Sequence, residues 1–203
     1  MAFVVYDFCY YWLHRLGHER NILWAAHSVH HQSEEYNLST ALRQTSTGFL
    51  LSWIFYLPLA VLGVPLAVFI TVAALNLLYQ FWVHTRHIPK LGWYEGFFVT
   101  PSNHRAHHAQ NPLYMDRNYG GVFILWDRLF GTFQQEDDAE PPVFGVTRPL
   151  ASWNPLWAEP AVLCPVGGRC PACRELPGQV AHLVHADRLA SGRCRGEVPD
   201  GEA

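Results

Sequence analysis

The sequence predicts an all-α chain. It reads as an integral membrane helical protein whose transmembrane helical hairpin supports a cytosol-facing, His-rich helical domain for two metals. Three observations predict this. Ten of the twelve histidines fall between His14 and His108, in clusters spaced three and four residues apart. The stretch from Thr45 to Val83 contains no Asp, Glu, Lys, Arg or His. Charged residues make up 15% of the chain, against about 25% in typical soluble domains, while 50% is hydrophobic.

The first segment, residues 1–13, reads as the end of an apolar helix running into His14. It is too short to cross a bilayer, which takes about 20 residues. It also lacks the charged start and small-residue cleavage site of a signal peptide. Residues 14–44 carry His14-x-x-x-His18 and His27-x-x-His30-His31, read as short helices. Helical residues three and four apart share a face, so each cluster is expected to present its imidazoles in one direction. Imidazole binds iron, zinc, copper and nickel. Any one of these histidines alone would read as a satisfied core residue; two copies of H-x-x-H-H would not.

The uncharged block would reach about 60 Å as one helix, against a hydrocarbon core of about 30 Å. Gly63-Val64-Pro65 near its middle, with Pro58 just before, reads as a turn between two helices of about 18 residues. Such a hairpin returns the chain to one side, where His84 can join the earlier histidines. Every Lys and Arg lies outside the block, including Arg15, Arg20, Arg43, Arg86, Lys90 and Arg105. The positive-inside rule then places the metal face in the cytoplasm.

From Lys90 to Thr132 the chain is amphipathic and aromatic, and it carries His104-x-x-His107-His108. Residues 134–140 form an acidic loop, and residues 158–203 turn Gly-, Pro-, Arg- and Cys-rich without apolar periodicity. That tail reads as disordered or out of frame. Cys164, Cys170, Cys173, Cys194, His182 and His185 admit a zinc-knuckle reading, with spacing shorter than a finger's. Only Cys9 lies among the histidines, so no disulfide framework is implied. The net charge of -3 gives no sign of a nucleic-acid partner.

The three His boxes around an apolar hairpin resemble the fatty acid hydroxylase/sterol desaturase superfamily of membrane di-iron oxygenases. The matching stretches are Asp7 to His18, His27 to His31, Asn103 to His108 and Asn118 to Phe133. Glu19, Glu34 to Gln44 and Asn76 to Thr85 look most like the alkylglycerol monooxygenase branch. The resemblance spans roughly residues 6–157. It implies His14, His18, His27, His30, His31, His104, His107 and His108 as ligands of two irons, with His84 as a ninth. His87 has no counterpart.

The resemblance also implies O2-dependent oxidation of an unactivated C–H bond in a lipid. With an alkyl ether, hydroxylation beside the oxygen gives a hemiacetal that collapses to a fatty aldehyde and glycerol. The implied external reductant is tetrahydrobiopterin, or a cytochrome or ferredoxin chain acting as electron-transfer partner. Two six-coordinate irons offer about twelve positions, so eight or nine imidazoles leave room for O2. Zinc would fit the ligands without supplying redox chemistry.

Glu19 and Asn118 are candidate catalytic or metal-proximal residues, with Asp7, Asn103 and Asp127 as further groups that could orient imidazoles. Asp7 and Asp127 also read as helix caps or partners of Arg15 and Arg128. Tyr36 and Asn37 read as headgroup contacts or an ordinary turn. Members of the resembled superfamily usually carry further membrane helices before the first His box, so the chain reads as N-terminally truncated or its start site as misassigned. A sterol or fatty-acyl hydroxylase/desaturase, or a non-catalytic metal-binding membrane protein, stays open as an alternative.

Overall fold

The computed structural model describes residues 1–45, 47–147, 149 and 158. The described residues form helices joined by short loops, with two isolated β-bridges and no strand. The readings of residues 158–203 lie outside the described residues, apart from Ala158, whose carbonyl accepts from the Gln32 amide.

Helix α1 (Ala2–Glu19) and helix α2 (Asn21–His31) are separated by one extended residue, Arg20. A short α3 (Leu38–Ala41) follows, capped by the Asn37 side chain on Ser39 N–H. The uncharged block then folds as α4 (Phe49–Phe55), α5 (Leu57–Val61) and α6 (Leu66–Trp82). The expected turn is present. Gly63 takes φ 73°, Val64 N–H reaches back to Leu59 O, and Gly63 N–H to Ala60 O. These two bonds close the helix in a Schellman motif, and the left-handed residue suits glycine.

The expected pair of long helices is only half present. The second arm is α6, with 17 residues. The first arm breaks at Tyr56 into helices of 7 and 5 residues. Pro58 accounts for the break: it has no N–H to donate, and its ring clashes with the carbonyl four residues earlier. Among the described residues no helix is long and apolar enough to cross a membrane.

The hairpin packs on the first half of α1. Tyr6, Cys9, Leu59 and Val72 form a buried cluster, with Tyr6 stacked on Tyr56 at 4.6 Å. Beyond it, Asp7 accepts from the Asn76 amide at 2.7 Å, tying α1 to α6. Helix α6 therefore runs in the same sense as α1, toward the histidines. The outer face of the hairpin stays apolar and uncovered, with Val61 86% and Leu66 73% exposed.

A 3-10 turn (Gly92–Gly96) leads to α7 (Pro101–His107), which opens on a capping box between Thr100 and Asn103. Pro101 at its first position needs no donor there. Helix α8 (Leu125–Phe130) ends at Gly131, which takes φ 73°.

Candidate metal centre

Nine histidines converge from four places. Helix α1 supplies His14 and His18, and α2 supplies His27, His30 and His31. The turn after α6 supplies His84, and α7 with its C-cap supplies His104, His107 and His108. They form two groups: His14, His18, His27, His31 and His107, and His30, His84, His104 and His108. Within each group, one nitrogen from every residue lies within 4.8 Å of all the others.

The division does not follow the boxes. A helix turns about 100° per residue, so His27 and His31, four apart, stay together while His30 swings to the other group. In α7, His104 and His108 stay together and His107 crosses. Each H-x-x-H-H box thus contributes to both groups, where the sequence suggested one direction per box.

The nitrogen spacings fit a metal. His14 and His31 each bring Nε2 to His27 Nε2, at 3.0 and 3.1 Å. His84 Nε2 lies 3.1 Å from His30 Nε2 and 3.0 Å from His104 Nε2. Two ligands at about 2.1 Å and a right angle lie about 3.0 Å apart, the edge of an octahedron; a tetrahedral edge would be about 3.4 Å. The Nε2 atoms of His18, His107 and His108 are buried with no hydrogen-bond partner. Buried polar nitrogens are seldom left so, and a metal ion would satisfy them.

The opposite ring nitrogens fix the rings. Nδ1–H of His14 donates to Tyr119 O at 2.8 Å, and that of His107 to Arg117 O at 2.8 Å. Nδ1–H of His84 donates to Gln80 O at 2.7 Å, and that of His30 to Arg43 O at 3.2 Å. His18 Nδ1 lies 3.4 Å from Asp116 Oδ1. Such contacts leave the Nε2 lone pair free for a metal.

Burial, reinforced by neighbouring imidazoles, holds His14, His27, His31, His104, His107 and His108 well below the ordinary histidine range. Burial lowers His30 to about 3 and His84 to about 4. Near neutral pH these rings are uncharged, so each keeps a lone pair on one ring nitrogen for a metal.

The other sequence candidates lie outside the two groups. Glu19 pairs with Arg15 at 2.8 Å, its side chain 39% exposed. His87 is exposed and Asn37 caps α3. Tyr36 is buried beside the four-histidine group, its ring 5.7 Å from His84 and stacked on Phe144 at 4.7 Å, its hydroxyl donating to Val83 O.

Asn118 is fully buried: its amide donates to Asn103 O and Gln134 O and accepts from Gln134 N–H. Asp7 and Asp127 neither cap a helix nor pair with arginine. Asp7 accepts from Asn76, Val122, Phe123 and Trp126. Asp127 accepts from Tyr119 N–H, Gly120 N–H and the Thr132 hydroxyl. Desolvation is the reason: a buried carboxylate needs several donors, and a buried turn of backbone N–H groups supplies most of them.

Sequence reasoning missed the carbonyls of Tyr119, Arg117, Gln80 and Arg43, and it missed Asp116. Backbone carbonyls carry no residue signature. The one available cue was Asn118, a residue type that tolerates the left-handed conformation.

A family model described as fatty acid hydroxylase matches residues 1–132. The chain is 52% identical over 158 residues to the alkylglycerol monooxygenase of Danio rerio, covering 78% of this chain and 34% of that protein. It is 52% identical over 155 residues to the Homo sapiens alkylglycerol monooxygenase, covering 76% and 34%. Lathosterol oxidase of Homo sapiens is 27% identical over 144 residues, covering 66% and 44%. The chain thus spans about a third (34%) of the length of the alkylglycerol monooxygenases it matches. No solved structure matches it.

Proposed function

The chain belongs to the fatty acid hydroxylase family, and from that premise we propose that it carries the metal core of a membrane di-iron oxygenase that hydroxylates a lipid with O2. The pair of histidine groups, five and four strong, carries this reading. Two irons, when bound there, would supply the redox chemistry that activates O2 and oxidises an unactivated C–H bond.

The chain's own residues prepare that chemistry. Burial keeps the imidazoles neutral, and backbone carbonyls hold the rings of His14, His30, His84 and His107. The Tyr36–Phe144 stack covers one side of the four-histidine group and keeps bulk water from it. Glu19 acts at one remove, holding Arg15, which donates to the buried Tyr11 hydroxyl.

The proposed substrate is an alkylglycerol. The 52% identity to two proteins of that activity supports it. Hydroxylation beside the ether oxygen then releases a fatty aldehyde and glycerol. The uncovered apolar face of α4 to α6 supports a lipid environment. The hairpin enters the bilayer from the histidine side, α6 reaching about 26 Å into a core about 30 Å thick. The basic residues outside the block support a cytoplasmic placement of that side. The reductant is tetrahydrobiopterin or a small electron-transfer protein. The sterol alternative rests on the more distant likeness to lathosterol oxidase.

The test is iron content and lipid turnover of the detergent-purified chain. About two irons per chain and reductant-dependent release of fatty aldehyde from an alkylglycerol are expected. Zinc alone, or turnover of a sterol in place of the ether, would reject the proposal.

A further inference from the structure

Three of the five histidines in one group meet a single loop. Tyr119 O takes the Nδ1–H of His14, Arg117 O takes that of His107, and the Asp116 carboxylate lies 3.4 Å from Nδ1 of His18. All three histidines belong to the five-histidine group. Among the described residues the four-histidine group has no such loop: its two Nδ1 contacts come from Arg43 and Gln80, in separate segments, and His104 Nδ1 has none.

The loop has an uncommon backbone. Asp116 and Asn118 both take φ 58°, a left-handed conformation that Asn and Asp tolerate better than other residues with a Cβ. It is also strongly tied down. The buried Asn118 amide bonds to Asn103 O, to Gln134 O and to Gln134 N–H. Asp127 takes the next two N–H groups, those of Tyr119 and Gly120. Strained backbone persists where its surroundings over-determine it, and such places concentrate at functional sites. Here the two left-handed residues flank Arg117 and precede Tyr119, and both intervening carbonyls meet ligand rings.

We propose that the Asp116–Tyr119 loop is the orienting shell of the five-histidine centre, with Asp116 and Asn118 as positioning residues. This rests on reading the nine histidines as two metal centres. Asp116 sets its largely exposed carboxylate 3.4 Å from His18 Nδ1, an electrostatic contact rather than a hydrogen bond. Asn118 holds the carbonyls of its two neighbours where His107 and His14 need them. Contacts of this kind set ring orientation and ligand basicity, and their loss typically costs about 10- to 100-fold in metal affinity.

The test uses Co2+ as the probe on the full chain in detergent, with chelator competition and visible absorption. Two Co2+ are expected in the wild type. Asn118→Gly keeps the left-handed backbone accessible and removes the amide. It is expected to weaken one Co2+ by about 10- to 100-fold more than the other and to shift that ion's absorption bands. Asp116→Gly does the same through His18. Asp116→Asn, which still offers an oxygen to Nδ1, restores wild-type affinity and spectrum.

Unchanged affinities and bands in both glycine variants would overturn the proposal. So would equal weakening of both ions, with or without loss of helicity, since that marks a purely structural role. Fewer than two Co2+ in the wild type would instead remove the two-centre reading itself, and the inference with it.

Discussion

His31 and His108 stack nearly parallel, ring centroids 4.2 Å and planes 19° apart. His31 ends α2 and belongs to the five-histidine group, while His108 closes α7 and belongs to the four-histidine group. The stack therefore lies at the seam of the two centres.

The two groups should respond unequally to losing a ligand there. His31→Ala leaves four imidazoles in its group, whereas His108→Ala leaves three. Elemental analysis should find about two metals per chain retained in the first variant, at reduced affinity, and at most about one in the second. Equal loss in both would mean that the groups do not bind separately.

The metal-free chain should weaken as pH falls below neutral. Burial places His30 at about 3 and His84 at about 4, against an unfolded value near 6.5. Between those values the unfolded chain binds protons that the folded chain refuses. The stability is thus complete above about pH 6.5 and is lost as pH falls toward 4, at about 1.4 kcal/mol per pH unit for each histidine. Urea midpoints of metal-free protein at pH 7.5, 6 and 5 should descend; a flat series would contradict this.

Removing the Asp7 carboxylate should be severe. Its oxygens serve the Asn76 amide, the N–H groups of Val122 and Phe123, and the Trp126 indole N–H. Asp7→Ala strands four donors and should cost about 3–5 kcal/mol, read as a lowered midpoint of unfolding. Asp7→Asn keeps one acceptor oxygen and should cost less.

The Gly120–Gly121 pair should not accept alanine. A Cβ on Gly121 would stand 2.8 Å from Tyr10 Cδ1 and 2.9 Å from Asp7 Oδ1. One on Gly120 would stand 2.6 Å from Phe123 O. Either substitution should destabilise the chain by about 1–3 kcal/mol in a thermal melt, the backbone contact at Gly120 being the harder to relieve.

The convergence of the histidines was legible because imidazoles at helical spacing are rare and chemically narrow. His84 was legible because the uncharged block is too long for one helix and has Gly63 at its turn. The break between α4 and α5 was signalled by Pro58, yet the apolar composition on both sides favoured one continuous helix. The allocation of His30 and His107 to opposite centres depends on how α2 and α7 face each other, which spacing alone does not contain. Asp7 and Asp127 were read from their nearest arginines. Their true partners lie mostly in a turn that only tertiary folding brings to them.

Because α2 and α7 each donate to both groups, neither helix can be ordered for one metal alone. The first ion to bind fixes the rings and backbone that the second will need, so conformational entropy is lost once for two events. By linkage the benefit is reciprocal. Filling one group should therefore tighten the other, while a chain with one group damaged should still hold a single ion at the intact one.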